Sequence, residues 1–278
     1  MTAQKTNEPK STANNTQDEI LEASKGNEFM ELVRIALWAV LLATVIRAFL
    51  YEPFNIPSAS MKPTLLVGDY IFVSKPAFGY SKYSFPFSMD LFEGRIWGRD
   101  LPEQGQVVVF RNPFQKNIDY IKRIVGMPGD RVQMVEGRLY INNAIVPRKF
   151  LRRETLVSPQ GHESELLLYE ETLPNGFTHY IYEESDRGGL DNTGEYLVPQ
   201  GQYFVMGDNR DNSQDSRVFD RVGSIPLDHM IGPANRVFFS TDGTARLWEI
   251  WRWPFATRFS RLFNNIQAPA ASTANSSE

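Results

Sequence analysis

The chain contains no cysteine, which excludes thiol catalysis, disulfide staples and cysteine-based zinc sites together. Histidine is scarce. His162, His179 and His229 are scattered, with no HExxH or comparable ligand spacing, so neither a metal nor a cofactor is expected. Basic charge is not in excess: 29 Lys and Arg stand against 33 Asp and Glu, a net charge of -4, whereas a nucleic-acid binder is normally basic. No helical stretch alternates with the strand-like segments, which argues against a parallel α/β sheet. Long apolar runs are also lacking, with one exception near the N terminus. What is there is a chain of 278 residues, 42% hydrophobic, enough for a folded protein with a substantial core.

The exception is ELVRIALWAVLLATVIRAFLYEPF. Its uninterrupted apolar part, Ile35 to Ile46, is 12 residues long, about 18 Å of helix against a hydrocarbon core of about 30 Å. Taken from Leu32 to Tyr51 it reaches 20 residues, with Arg34 and Arg47 placed to snorkel and Trp38, Phe49 and Tyr51 suited to the interface or the lipid. The expectation is a polar tail over 1–30 and a transmembrane anchor over 31–51. A cleaved signal peptide would need a short basic region before the core and a small-x-small site soon after it. Here an acidic-leaning segment precedes the core and RAFLYEPFNIP follows, so an uncleaved anchor is expected. Charge does not set its orientation, since the first 33 residues carry three Lys against six Asp and Glu.

From Asp69 onward the pattern turns strand-like. DYIFVSK, GQVVVFRNP, DYIKRIVGM, GQYFVMGDN and NRVFFS are short, β-branched and aromatic, and bounded by Gly, Pro, Asn and Asp. VEGRLYINNAIV reads as a hairpin followed by a second turn at Asn142-Asn143. The fold class expected is mainly β: an antiparallel catalytic domain over 52–146 and 200–245, with a more polar inserted subdomain over 147–199. Residues 246–266 mix Trp and Phe with Arg, as an interfacial segment would, although Pro254 interrupts any single helix there. A second aromatic stretch, Gly79 to Gly98, could form a ribbon touching lipid; core packing or a partner surface is the other reading of both. The remainder, 267–278, is a low-complexity tail expected to be disordered.

Ser58 and Ser60 stand two apart in IPSASMKPTL, between Pro57 and Pro63, directly after the apolar run. Most Ser/Pro turns only redirect the chain. A serine nucleophile needs a base and oxyanion donors, and none of the three histidines sits in a Gly-rich or strand-end setting. Lysine is the remaining candidate, provided burial or nearby positive charge removes several pKa units. In DYIKRIVGMPGD, strand alternation puts Lys122 on one face with Tyr120 and Ile124. It reads either as an edge-strand lysine whose head reaches water or as a desolvated base. MGDNRDNSQDSR is a dense polar loop that lacks the Gly and terminal Glu of an EF-hand.

Together and in this order, FNIPSASMKPTLLVGDYIFVSK, DYIKRIVGMPGD and GDNRDNSQDSR, with RVFFS beyond, resemble bacterial type I signal peptidases, the serine–lysine endopeptidases of secretion. WEIWRWPFATRFSRLF resembles the tails of alphaproteobacterial, single-anchor members. The resemblance implies Ser60 as nucleophile, Lys122 as general base, and Ser58 with the Ser60 N–H as the oxyanion site. It implies Ser213 as the residue orienting the lysine, and Asp208, Asp215, Arg217 and Arg123 as scaffold ion pairs. Phe54, Ile56, Pro57, Met61, Leu65, Tyr120 and Ile121 would line shallow pockets for a small-x-small substrate. It further implies cleavage of preproteins through an acyl-enzyme, with inner-membrane lipid and the translocation machinery as partners, no nucleic acid, and a single-pass protein whose catalytic domain faces the periplasm. Ala59 stands where many members have Gly, so any φ > 0 there would be strained. Two rival readings are a silent, membrane-anchored β-domain that binds preproteins, and a repressor-type serine–lysine autoprotease. The second would require a helix-turn-helix and an internal cleavage site, neither of which is seen.

Overall fold

The structure is a computed structural model that describes residues 12–84, 94–98, 100–115, 117–157, 163–245 and 249–269. The chain divides into two units, 1–47 and 48–278. In the first, a helix (α1, Thr12–Phe49) begins well inside the segment expected to be a polar tail. Its stretch Phe29–Arg47, 19 residues with mean hydropathy 2.1 and no side chain buried, is long and apolar enough to cross a membrane. Tyr51, expected to close the anchor, instead opens the first strand.

The second unit is built on antiparallel sheets. Strands β1 (Tyr51–Asn55), β2 (Asp69–Ser74), β3 (Val107–Arg111), β4 (Asp119–Gly126), β12 (Gln202–Met206), β13 (Ile225–Pro226) and β14 (Met230–Ser240) form a seven-stranded sheet in the order β1-β2-β14-β3-β4-β12-β13. β3 shows why these sequences become strands. Val107 and Val109 pack with Ile56, Met61, Leu65 and Ile231 on one side, while Val108 and Phe110 pack with Phe78, Ile124 and Val205 on the other. A strand apolar on both faces belongs in the middle of a sheet.

A four-stranded sheet joins β5 (Arg131–Val135), β6 (Arg138–Ile141), β7 (Ala144–Ile145) and β11 (Tyr196–Leu197). Its two tight turns carry positive φ at both central residues, Glu136-Gly137 (47° and 69°) and Asn142-Asn143 (53° and 64°). That is the requirement of the hairpin turn whose twist matches the strands. β8 (Arg148–Val157), β9 (Glu163–Thr172) and β10 (Thr178–Glu183) make a three-stranded sheet. The smaller sheets thus reach back to Arg131, N-terminal to the subdomain boundary expected at 147. Between Gly79 and Gly98, residues 85–93 lie outside the described residues, as do 246–248 and 270–278 of the tail. Residues 250–261 form three short turns and no continuous helix. Gln267, expected in the disordered tail, is held: its side chain bonds both the N–H and C=O of Val107 and the Ala234 carbonyl.

Candidate active site

The loop between β1 and β2 carries Ser58 and Ser60. Two bonds close its base, Ile56 N–H to the Asp69 carbonyl (2.8 Å) and Gly68 N–H to the Ile56 carbonyl (3.0 Å). Met61 and Leu65, both fully buried, pin it to the core. From below, the Asp69 carboxylate accepts from Leu66 N–H, the Ser240 hydroxyl and the Arg261 guanidinium, and Arg261 also reaches the Thr64 carbonyl. From the side, the 207–217 loop takes hold of the serine itself: Asn209 N–H donates to the Ser60 carbonyl (3.0 Å) and Asn209 Nδ2 to the Ala59 carbonyl (3.2 Å). Ala59 does not have positive φ, so the Gly-to-Ala difference carries no backbone strain.

Gly207 explains how close this packing is. A Cβ on it would lie 2.2 Å from Ser213 Oγ and 2.6 Å from the Ser60 carbonyl oxygen. Only glycine lets the two loops meet at that distance.

Lys122 is on β4 and 4% exposed. Its Nζ lies 2.7 Å from Ser60 Oγ and 3.0 Å from the Ile121 carbonyl. Burial lowers its pKa from 10.5 to about 8, Asp215 and Asp208 pulling it back up and Arg217 pushing it down. Of the two readings of this residue, the water-facing edge lysine is excluded by burial.

The neighbouring charges are paired. Arg123 binds the Asp208 carboxylate through two bonds (2.8 and 2.7 Å) and the Gly105 carbonyl. Thr64 Oγ1 donates to Asp208 and accepts from Arg123, tying this pair to the serine loop. Asp215 and Arg217 form a second buried bidentate pair, and Gly207 N–H also donates to Asp215. Burial would raise the Asp215 carboxyl, but Arg217 and the Gly207 amide hold it below its ordinary value.

Two expected contacts are arranged differently. Ser60 N–H donates to Ser58 Oγ (3.1 Å), so the two groups assigned to one oxyanion are bonded to each other. Ser213 Oγ is buried without a hydrogen-bond partner. It stands near enough to Asp215 to favour the carboxylate, yet bonds neither that group nor Lys122. Both hydroxyls border a cavity of about 510 Å³ that is lined by Pro57, Ser58, Ser60, Ile118, Asp119, Tyr120, Ile121, Lys122, Asp211, Asn212, Ser213 and Gln214. Pro57, Tyr120 and Ile121 are therefore on its wall. Ile56, Met61 and Leu65 belong to the packed core and offer it no surface, and Phe54 packs against that same core.

His179 and His229 do not line the cavity, and His162 lies outside the described residues. His179 is nonetheless placed in a way the sequence did not suggest. It is buried between Glu171 (3.4 Å) and Asp208 (4.0 Å), beside the bidentate Arg210–Glu171 pair. Burial, then the Arg123 and Arg210 charges, drives its pKa well below the usual value, leaving it neutral. For His179 alone strand alternation was an available signal, since in THYIYE it shares a face with buried Ile181.

Chemically, an amine whose pKa burial lowers to about 8, 2.7 Å from a serine hydroxyl, is able to take that hydroxyl's proton and so make the oxygen a nucleophile. The chain belongs to the signal peptidase family, peptidase S26, whose model matches residues 29–239. It is 39% identical over 246 residues to a signal peptidase I of Rickettsia typhi, and 38% identical over 248 residues to that of Rickettsia conorii. Each alignment covers 82% of this chain and 90% of the relative. A solved signal peptidase I of Enterococcus faecalis is 27% identical, with a TM-score of 0.28 over 48% of this chain and 97% of that one.

Proposed function

We propose that this chain is a membrane-anchored endopeptidase that removes N-terminal signal peptides from exported preproteins after a small-x-small motif. Ser60 is the nucleophile and Lys122 the general base. The observation that carries this reading is the 2.7 Å contact between Lys122 Nζ and Ser60 Oγ, with the amine held at about 8.

The neutral amine takes the Ser60 proton as Oγ bonds to the scissile carbonyl carbon. Lys122, now an ammonium, gives that proton to the leaving amine as the C–N bond breaks. A water molecule then attacks the ester through the same base and frees Ser60. The substrate oxyanion replaces Ser58 Oγ as acceptor of the Ser60 N–H, and the Ser58 hydroxyl turns its own proton toward it. Ser213, which lines the same cavity, acts on the lysine through the carboxylate of Asp215 that it favours. Two ion pairs, Arg123–Asp208 and Asp215–Arg217, fix the strand and loop that meet there.

An extended substrate has an edge available. On the side where β4 meets β12, the described residues pair only over 123–126, so Asp119 to Ile121 have no strand neighbour there beside the cavity, the Ile121 carbonyl being held by Lys122 Nζ. Pro57, Tyr120 and Ile121 give this cavity an apolar wall suited to small side chains. In this reading the helix Phe29–Arg47 is the anchor and the catalytic unit works on the periplasmic side of the inner membrane; the length and apolarity of that helix and the family support it. Exposed Trp251, Phe255, Phe259 and Phe263, with Arg252 and Arg258 among them, suit contact with the lipid interface.

The test is incubation of the detergent-solubilised wild type, Ser60→Ala and Lys122→Met with a preprotein whose signal ends in Ala-x-Ala. Cleavage at that site by wild type alone is expected. Cleavage by Lys122→Met would remove the lysine from the mechanism. A silent wild type, alongside an active signal peptidase control, would return the chain to a preprotein-binding role.

A further inference from the structure

We propose that Glu183, Asp191 and Asp211 form a binding site for a hard divalent cation, calcium in particular, behind the wall of the cavity that holds Ser60 and Lys122. One carboxylate oxygen from each residue lies within 4.8 Å of the others. Two oxygens on opposite sides of one calcium ion are about 5 Å apart. Glu183 and Asp191 have no exposed surface, and both Glu183 oxygens and Asp191 Oδ1 accept no hydrogen bond. Such carboxylates are normally paired, hydrogen-bonded or bound to metal.

The nearby cations are already committed. Arg148 Nη2 donates to both oxygens of Asp186 (2.7 and 2.8 Å), Arg210 is bidentate to Glu171 and Arg217 to Asp215. Arg148 Nη1 makes a long ion pair with Glu183 Oε1 at 3.6 Å, beyond hydrogen-bond reach. The ligands themselves are oriented by the backbone. Asp191 Oδ2 accepts from Gly188 N–H, and Asp211 Oδ2 from the N–H groups of Glu184 and Ser185, leaving Asp191 Oδ1 unengaged. Gly188 makes room between them: a Cβ there would lie 2.7 Å from Asp211 Oδ1 and 3.2 Å from Asp191 Oδ2. A polar, solvent-open cavity bordered by Glu184, Ser185, Gly188 and Asp211 provides the entry path. All-oxygen donors with no thiol or imidazole favour a hard ion over zinc or copper.

Asp211 also borders the Ser60 cavity and is followed there by Asn212, Ser213 and Gln214. The cation would therefore tie the 183–191 segment to the loop that flanks the serine. Its effect on cleavage rests on the proposed function, whereas the binding itself does not.

The full chain in detergent, stripped with EGTA, is titrated with calcium chloride by equilibrium dialysis and by thermal unfolding. Expected are one ion per chain and a midpoint that climbs with the logarithm of calcium concentration. Glu183→Gln and Asp191→Asn should each weaken binding by at least about tenfold and flatten the thermal response. Ser60→Ala should bind as wild type does. No saturable binding below about 5 mM calcium, or an undiminished response in Glu183→Gln and Asp191→Asn, would overturn the site. Should those two variants not fold, the less buried Asp211→Asn decides, and unchanged affinity in it sinks the proposal. A wild type that binds calcium yet cleaves no preprotein would leave the cation site standing and count against the protease reading.

Discussion

Lys122→Met keeps the carbon stem of the lysine and removes an amine that is 4% exposed. Burial lowers the pKa of that amine from 10.5 to about 8, against the pull of Asp215 and Asp208. Between these two values the unfolded chain binds a proton that the folded chain does not, so wild-type stability rises with pH across the window. Below about 8 both states are protonated, and the folded one carries the whole cost of the buried cation, about 3 kcal/mol. The methionine variant has no such cost, but it forfeits the bonds to Ser60 and the Ile121 carbonyl, together roughly 2 kcal/mol. Lys122→Met should then be about 1 kcal/mol more stable than wild type near pH 7 and about 2 kcal/mol less stable near pH 10.5. Denaturant unfolding of the two full-length proteins in detergent, followed by tryptophan fluorescence at several pH values, measures this difference. Tyr80, Tyr182 and Tyr203, whose pKa values burial raises, titrate in both proteins and cancel. A difference that stays flat from pH 7 to 10.5 would refute the desolvated lysine, and the general-base assignment would go with it.

The pH dependence of kcat/KM for preprotein cleavage should show one rising limb with a midpoint near 8, since only neutral Lys122 accepts the serine proton; a rate already maximal at pH 6 would contradict this. Asp208→Asn leaves the buried Arg123 without its charge partner and should cost about 3–5 kcal/mol in denaturant unfolding, whereas Ser60→Ala should stay within about 1 kcal/mol of wild type. Gly207→Ala forces a methyl group into the Ser60 carbonyl and the Ser213 side chain, so kcat should fall by at least about tenfold with fold retained by circular dichroism; near-normal turnover would mean the two loops separate at little cost. Arg261→Ala removes the strap from Asp69 and Thr64 beneath the serine loop and should lower both stability and kcat, read by thermal unfolding and initial rates.

The strands and turns were legible because local chemistry and tertiary position agree in them. β3 is apolar at four successive positions and is buried on both faces; Asn142-Asn143 can adopt positive φ cheaply and does. The Ser60–Lys122 contact was legible for a different reason, since each residue sits in a sequence box specific enough to carry its role by resemblance. The pocket residues were not. Next to the serine, an apolar side chain facing the core and one facing the cavity have the same composition, and the irregular loop offers no period to separate them. Ile56, Met61 and Leu65 went inward while Pro57 stayed on the wall.

The charges of the inserted segment were hidden by the opposite confusion. Asp, Glu and Arg at high density read as solvated surface, and for Arg152, Arg153 and Glu165 that holds. Glu171, Glu183, Asp191 and Arg210 share that composition but are almost wholly buried. The difference lies in what crosses over them: Tyr182 N–H donates to the Asp208 carbonyl, and Arg210 N–H to the Tyr182 carbonyl, stitching β10 onto the loop beside Ser60. Two segments 26 residues apart in sequence thereby bury each other's carboxylates and arginines, a pairing with no local period to reveal it. Buried charge of this kind contributes little net stability and fixes one arrangement against its neighbours. In this chain the arrangement so fixed is the wall that holds Asn209 against the Ser60 carbonyl, and the 2.7 Å contact between Ser60 and its proposed base depends on that wall not moving.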